Sequence, residues 1–256
     1  MTESERRLAF RVEYDGTSYH GWQAQPDGCP TIQGTLQDTL SGFLGCQTDV
    51  QGASRTDAGV HARDQMAAAT IRHPIRAEGL VKAVNQRLPA AIAIRDAHPV
   101  PLDYNPRFGN RSKTYCYRVY CSKVRSPLLD RFSWRIPWAL DLDFMRQASA
   151  DLIGTHDFTS FAASDGSHKT AERTILTYAI TSDSDGVIEL RVTGTAFLKQ
   201  MVRNLTGTLV DIGRGRLSPN CIPEIIAAKD RRHAGPTAPA RGLTLEKIEL
   251  NELGSD

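Results

Sequence analysis

The order in which alternating segments and helical stripes follow one another restricts this chain more than any other feature. Residues 8–14, LAFRVEY, place apolar Leu8, Phe10, Val12 and Tyr14 at every second position, as a half-buried strand does. Thr31 then stands at the N-cap of a helix carrying Ile32, Leu36, Leu40 and Phe43 at helical spacing. A short strand is expected around Val50 and another over residues 65–71. Leu80, Val81, Val84 and Leu88 line a second helix stopped by Pro89, and Ile92 and Ile94 begin a further strand. The second half repeats the theme. SKTYCYRVY, residues 112–120, reads as a strand. Leu142, Met145, Ala148 or Ser149, and Leu152 mark a helix ending near Gly154. RTILTYAIT and VIELRVTG flank SDSDG, a hairpin signal with Gly186 at its end. Met201, Leu205, Leu209 and Ile212 define a helix closed by Gly213, a short helix starts near Pro223, and LTLEKIEL returns as a strand. Strands in hairpins with helices between them predict an α+β chain with a largely antiparallel sheet and helices on its flanks. Pro106 and Gly109 suggest a division into residues 1–105 and 106–256.

Composition narrows the function classes. The 256 residues are 40% hydrophobic and 23% charged, which suits a globular protein with a sizeable core. There is no apolar run of about 18 residues to predict a membrane helix. Residues 1–7 are polar, with no apolar signal segment behind them, so a cytoplasmic location is expected. Five cysteines in no CxxC pair read as reduced thiols, with Cys116 and Cys121 in or beside a strand. The histidines lack zinc-site spacing, and no metal is expected.

A net charge of +2 says little about nucleic acid, but its distribution says more. Residues 107–135 hold Arg107, Arg111, Lys113, Arg118, Lys123, Arg125, Arg131 and Arg135 against one acid, Asp130, with Tyr and Phe and Trp side chains interleaved. Cations for phosphates beside rings for bases make a nucleic-acid footprint. A solvated strand face over core aromatics would give the same composition. Of Tyr115 and Tyr117, read as lying on opposite strand faces or across an irregularity, one is expected to be core only.

The densest chemistry is GASRTDAGVHA, residues 52–62. Arg55 and Asp57 sit in what reads as an exposed loop between strands, among Gly52, Ala53, Ala58, Gly59 and Ala62. An Asx-turn with a surface ion pair would account for the acid and the base alone. The small neighbours point further, because they let a planar ligand approach the backbone. An arginine within reach would lower the Asp57 pKa by roughly 1–3 units and keep the carboxylate ionised for nucleophilic work. His61 is expected to make a structural hydrogen bond.

This stretch resembles the signature of the tRNA pseudouridine synthase A family. VEYDGTSYHGWQAQP, TIQGTLQDTL, VNQRLP, RFGNRSKTYCYRVY, DLIGTHDFTSF, FLKQMVRNLTGTLVDIGRG and the AKDR and GPTAPARGLTL segments agree in order, from about residue 10 to residue 245. The resemblance implies a two-lobed pseudouridine synthase fold with a cleft where the lobes meet. It implies isomerisation of uridine at positions 38, 39 and 40 of the tRNA anticodon arm, without a cofactor, by a homodimer whose subunits share the tRNA. Carried over motif by motif, Asp57 is the catalytic carboxylate, Tyr115 stacks on the target base, and Arg203 pairs with the carboxylate. Arg55 flips the base or contacts the backbone, and Leu243 and Leu245 supply an apolar wall. Arg107, Arg111 and Lys113 are assigned to the RNA backbone on charge. The sequence departs from the family pattern mildly, in the entry to GASRTDAG and at Lys199 and Gln200, where basic imidazoles are common.

Pseudouridine formation breaks N1–C1′, turns the base and joins C5 to C1′, and the base must first leave its stack. Attack of the carboxylate on C1′, deprotonation of the sugar to a glycal, and attack on C6 all remain open. Arg203 lies two positions off the apolar stripe of its helix, where arginines are usually solvated, so its role rests on the resemblance. A retaining glycoside hydrolase would need two carboxyls about 5–5.5 Å apart, and Asp64 is the one acid near Asp57 in sequence. A non-catalytic RNA-binding protein would not need Asp57 with Tyr115 and Arg203. A related synthase acting on another RNA would share the chemistry and differ in docking.

Overall fold

The computed structural model describes residues 5–26, 28–166 and 169–250. The first four residues of the polar N-terminal stretch lie outside them. The chain forms two compact units, Met1–Arg111 with Leu245–Asp256, and Ser112–Thr244.

The first unit contains β1 (Arg6–Tyr14), α1 (Ile32–Leu44), β2 (Val50–Gly52), β3 (His61–Ile71), α2 (Ala77–Asn85) and β4 (Ile92–Val100). β1 runs antiparallel between β3 and β4, and β2 pairs with residues 67–69 of β3. Leu8, Ala9 and Phe10 are consecutive and fully buried, so both faces of β1 are covered there. Strict alternation therefore fails at this point, though it identified the strand. The Thr31 hydroxyl accepts from the Gly34 amide at 3.2 Å and starts α1, which ends on Gly45 at φ 71°. β3 begins at His61, four residues before the expected start, because Tyr14 of β1 still pairs with Ala62. α2 ends at Asn85, short of Leu88. The Asn85 side chain turns to β4, donating to the Ile94 carbonyl and accepting from its amide, both at 2.8 Å.

The second unit contains most of β5 (Asn110–Cys121), then β6 (Trp134–Ile136), α3 (Leu142–Ala150), β7 (Gly154–Asp157), β8 (Glu172–Ser182), β9 (Val187–Gly194), α4 (Met201–Gly213) and α5 (Ile222–Ala228). β5, β9, β8 and β7 are neighbours in that order, all antiparallel, and β6 lies parallel to β5. The expected hairpin joins β8 to β9. Gly186 takes φ 75°, and the Asp183 carboxylate accepts from the Asp185 and Val187 amides at 2.9 and 2.8 Å. β6 and β7 were not anticipated; three and four residues are too short to show a period. Pairing of β5 with β9 runs unbroken from Lys113 to Tyr120. Tyr115 and Tyr117, two residues apart, therefore share a face, which corrects the expectation of opposite faces.

β10 (Leu243–Leu250) neighbours β3. The Asp64 carboxylate accepts from the Ile248 amide at 3.2 Å and grips Arg11. Asp64 thus serves strand pairing. The fold is α+β, with largely antiparallel strand pairing and five α-helices among the described residues. Cys116 is buried within β5 and Cys121 is exposed at its end. Among the described residues, no helix is long and apolar enough to cross a membrane, and no cluster of three His, Cys, Asp or Glu could hold a metal.

Candidate active site

Asp57 lies in the connection between β2 and β3, as expected, but that connection is less exposed than its composition suggested. Ala53, Ser54, Thr56 and Val60 are buried, Asp57 is half-buried, and Arg55 and Ala58 are exposed. A second segment, residues 14–22, holds the loop in shape. The Trp22 amide donates to the Thr56 carbonyl at 3.1 Å, the Gly59 amide to the Tyr19 carbonyl at 3.2 Å, and the Tyr14 and Thr56 hydroxyls are bonded at 2.8 Å. From the other side, Gln65 Nε2 donates to the Ser54 carbonyl at 2.6 Å while its Oε1 accepts from the Ser54 amide at 3.1 Å. Gly21 permits the approach: it sits at φ +91°, and a Cβ there would lie 2.7 Å from the Thr56 carbonyl oxygen. At Gly16 a Cβ would collide with the Val60 carbonyl. His61 is buried and its Nδ1 accepts from the Gly16 amide at 3.1 Å, the structural bond anticipated for it, with Asp15 Oδ1 also 3.1 Å away. The backbone on both sides of Asp57 is therefore fixed, while its side chain faces partly into solvent.

Tyr115, Arg203 and Leu243 belong to the second unit, and Asp57, Arg55 and Leu245 to the first. Tyr115 is 6% exposed on β5, with its ring edge-on to Phe197 at 5.2 Å. Tyr117 is fully buried; its hydroxyl donates to the Pro239 carbonyl at 2.7 Å and its ring packs on Gly242. Burial pushes the Tyr117 phenol well above its ordinary pKa, against the opposing charges of Arg203 and Arg241. Leu243 and Leu245 are both buried.

Arg203 is half-buried in the first turn of α4. Its Nε donates to the Ala238 carbonyl at 2.8 Å, and its own carbonyl accepts from the Ala238 amide at 3.2 Å. The expected amphipathic stripe understated this helix: every residue but Arg203 and Asp211 is buried, including Asn204, Thr206 and Thr208. Lys199 ion-pairs with Asp165 at 2.6 Å, and Gln200 precedes α4 in the left-handed region at φ 59°.

The basic stretch divides between the two readings given for it. Arg118 is bonded to Glu189 at 2.9 Å, and Arg135 donates to the Lys123 carbonyl at 2.9 Å, so both brace the unit. Burial raises the Glu189 pKa, but the hydrogen bond from Arg191 and the charge of Arg118 outweigh it and hold the carboxyl below its ordinary value. Arg107, Arg111, Lys123, Arg125 and Arg131 are exposed, as are Phe108, Phe132 and Trp138, whereas Tyr115, Tyr117 and Tyr120 are buried. The guanidinium carbon of Arg214 lies 3.7 Å from the Trp138 ring centroid.

The profile of the tRNA pseudouridine synthase family matches residues 11–109 and 148–251, a span that includes the braced Asp57 loop and Arg203. The chain belongs to that family. The tRNA pseudouridine synthase A of Myxococcus xanthus is 44% identical over 94% of this chain and 91% of its own length. That of Geotalea daltonii is 41% identical over 95% and 99%. That of Caldicellulosiruptor bescii is 40% identical over 95% and 99%. Among solved structures, a chain of a Cbf5–Nop10–Gar1 complex aligns with 93% of this chain and 58% of its own at 11% identity, with a TM-score of 0.37, too low to argue from. The chain is a pseudouridine synthase and hence an isomerase: product and substrate differ only in which base atom bears the sugar.

Sequence reasoning missed the residues that hold the named ones. Tyr14, Gly21 and Trp22 brace the Asp57 loop, and Phe197 and Ala238 hold Tyr115 and Arg203. Tyr14, Gly21 and Trp22 all lie in the VEYDGTSYHGWQAQP segment, which was a usable signal. Nothing in local spacing ties residue 238 to residue 203.

Proposed function

We propose that this protein converts uridine to pseudouridine at positions 38, 39 and 40 of the tRNA anticodon arm, with Asp57 as the catalytic carboxylate. The observation that carries the reading is identity of about two residues in five, over nearly the whole length, with proteins named tRNA pseudouridine synthase A. The geometry of the Asp57 loop supports it. A nucleophile or base gains from being aimed before the substrate arrives, and the backbone around Asp57 is bonded on both sides.

The reaction cleaves N1–C1′, rotates the detached uracil and forms C5–C1′. N1 gains a proton and C5 loses one, so the product is an isomer. Each of the three routes asks for an ionised Asp57 beside the sugar–base junction. In this reading Arg203, whose Nε donates to the Ala238 carbonyl, is the partner of the catalytic carboxylate. Tyr115 stacks on the flipped base, Arg55 flips the base or contacts the RNA backbone, and Leu243 and Leu245 confine the uracil while it turns. The exposed Arg107 and Arg111, with Lys113, neutralise phosphates of the arm. Two copies of the chain hold one tRNA between them, two-fold pairing being the commonest closed symmetry.

The test is a pseudouridine map of tRNA from cells lacking the protein, paired with reaction of the purified protein on an unmodified transcript. Uridines at positions 38–40 should lose modification in the cells and gain it in the tube. If those positions stay modified in the cells and pseudouridine disappears from another RNA, the chain is a synthase of different specificity.

A further inference from the structure

The AKDR segment and residues 235–237 of GPTAPARGLTL carry no role in the chemistry above, yet they surround a buried polar group. Asn204 is fully buried on α4, one residue beyond Arg203. Its Nδ2 donates to the Phe161 carbonyl at 2.8 Å. Its Oδ1 accepts from the Thr237 hydroxyl at 2.7 Å and from an Arg231 terminal nitrogen at 3.1 Å. The same Arg231 nitrogen donates to the Thr237 hydroxyl at 3.1 Å, and the other terminal nitrogen to the Ala234 carbonyl at 3.2 Å. Two donors on Oδ1 and a carbonyl at Nδ2 leave the amide one orientation. Three neutral oxygens thus hold the half-buried guanidinium of Arg231, and no carboxylate among the described residues lies within ion-pair reach of it.

These bonds press residues 235–238 flat against α4. The Thr208 hydroxyl donates to the Asn204 carbonyl at 2.8 Å and accepts from the Gly235 amide at 2.9 Å. A Cβ on Gly207 would collide with the Pro236 carbonyl, and one on Gly235 would lie 2.7 Å from the Thr208 Cα. The pressed segment ends at Ala238, whose carbonyl accepts from Arg203 Nε at 2.8 Å. A bond to Nε fixes the plane of a guanidinium, and with it the direction of its terminal fork. A shift of the Ala238 carbonyl would turn that fork.

We propose that Arg231, Asn204 and Thr237 are positioning residues that aim Arg203 by locking the backbone at Ala238. The proposal rests on the reading of Arg203 as the partner of the catalytic carboxylate. The three residues touch no substrate and act through Arg203 alone.

The test is a double-mutant cycle on single-turnover kinetics. The readout is release of the C5 hydrogen from a tRNA transcript labelled with tritium at C5 of uridine. Thr237→Val removes one hydroxyl at nearly constant shape, and Arg231→Lys keeps the charge but loses the fork. Both should lower the rate at saturating enzyme by about 10- to 100-fold, with the half-saturating concentration changed by less than about threefold. In an Arg203→Met background, adding Thr237→Val should lower the rate no further, because the group it aims is gone. If Arg231→Lys does not fold, the Thr237→Val arm decides. The proposal is overturned if Thr237→Val leaves the rate unchanged while Arg203→Met abolishes it. It is also overturned if the two losses multiply in the double variant, as independent structural damage would. A full rate for Arg203→Met alone would instead remove the assigned role of Arg203, and the aiming role with it.

Discussion

Gly21→Ala tests the brace behind Asp57, and the structure provides its own control. Gly21 sits at φ +91°, where an L-residue costs roughly 1–2 kcal/mol. The added Cβ would also lie 2.7 Å from the Thr56 carbonyl oxygen, 3.1 Å from the Asp57 carbonyl carbon and 3.2 Å from the Ala58 nitrogen. These are backbone atoms, and the Thr56 carbonyl is held by the Trp22 amide, so relief requires the loop to move. Overpacking of that kind costs typically 1–3 kcal/mol, for a total of about 2–5 kcal/mol. Gly45 has a comparable φ of +71° with nothing within 4 Å of its added Cβ. Gly45→Ala should therefore cost only the conformational part, about 1–2 kcal/mol. Urea unfolding of the three proteins gives the stabilities, and turnover at a temperature where all are folded gives the second readout. Gly21→Ala should lose about 10- to 100-fold in kcat because Asp57 is displaced, and Gly45→Ala should lose nothing. Equal stabilities and equal turnover for the two variants would refute the claim that residues 14–22 shape the Asp57 loop.

Three further outcomes are expected. Tyr115→Phe should keep the ring contact with Phe197 and change activity through the phenol alone, whereas Tyr115→Leu should also lose base stacking, worth about 1–3 kcal/mol in binding; normal kinetics for both would leave Tyr115 a core residue only. Arg107→Ala or Arg111→Ala should weaken binding of all tRNAs alike and flatten the log–log salt dependence by about 0.7 to 0.9 per lost phosphate contact, and an unchanged slope would make these side chains plain solvated surface. The hydrogen bonds from Lys229 and Thr159 hold the Asp157 carboxyl at about 2. Because its folded pKa is depressed, the Lys229–Asp157 pair stabilises fully above the unfolded value of about 3.9 and is lost as pH falls through about 2. Lys229→Met should therefore be less stable than the unaltered protein at neutral pH, with the difference closing as pH falls through about 2, as measured by urea unfolding.

Which features were legible in the sequence follows from which forces are local. β1, α1, α4 and the β8–β9 hairpin announce themselves because a period, a Thr cap or an αL glycine acts within a few residues. Helix ends were misjudged where a tertiary bond intervened, as when the Asn85 side chain turns to β4. The terminal strand returns to β3, where Asp64 meets the Ile248 amide 184 residues away, and no window of sequence contains both. The apolar stripe of Met201, Leu205, Leu209 and Ile212 gives no sign that Asn204, Thr206 and Thr208 are buried as well. Asn204 and Thr208 are buried because residues 235–238 lie on them and bond their polar atoms, while the Thr206 hydroxyl donates to the Val202 carbonyl within the helix. The named site residues came from motif resemblance; the bonds that hold Asp57 and Arg203 in place came from the structure.

Whether Asp57 performs the chemistry is tested most directly by Asp57→Asn. The substitution keeps volume and hydrogen-bonding capacity and removes the charge on a half-buried side chain in a braced loop. Tritium release from C5-labelled tRNA, measured beside equilibrium binding of the same tRNA, separates chemistry from docking. The variant should bind as the unaltered protein does and release tritium no faster than the buffer background. Near-normal release by Asp57→Asn would mean that another group performs the chemistry.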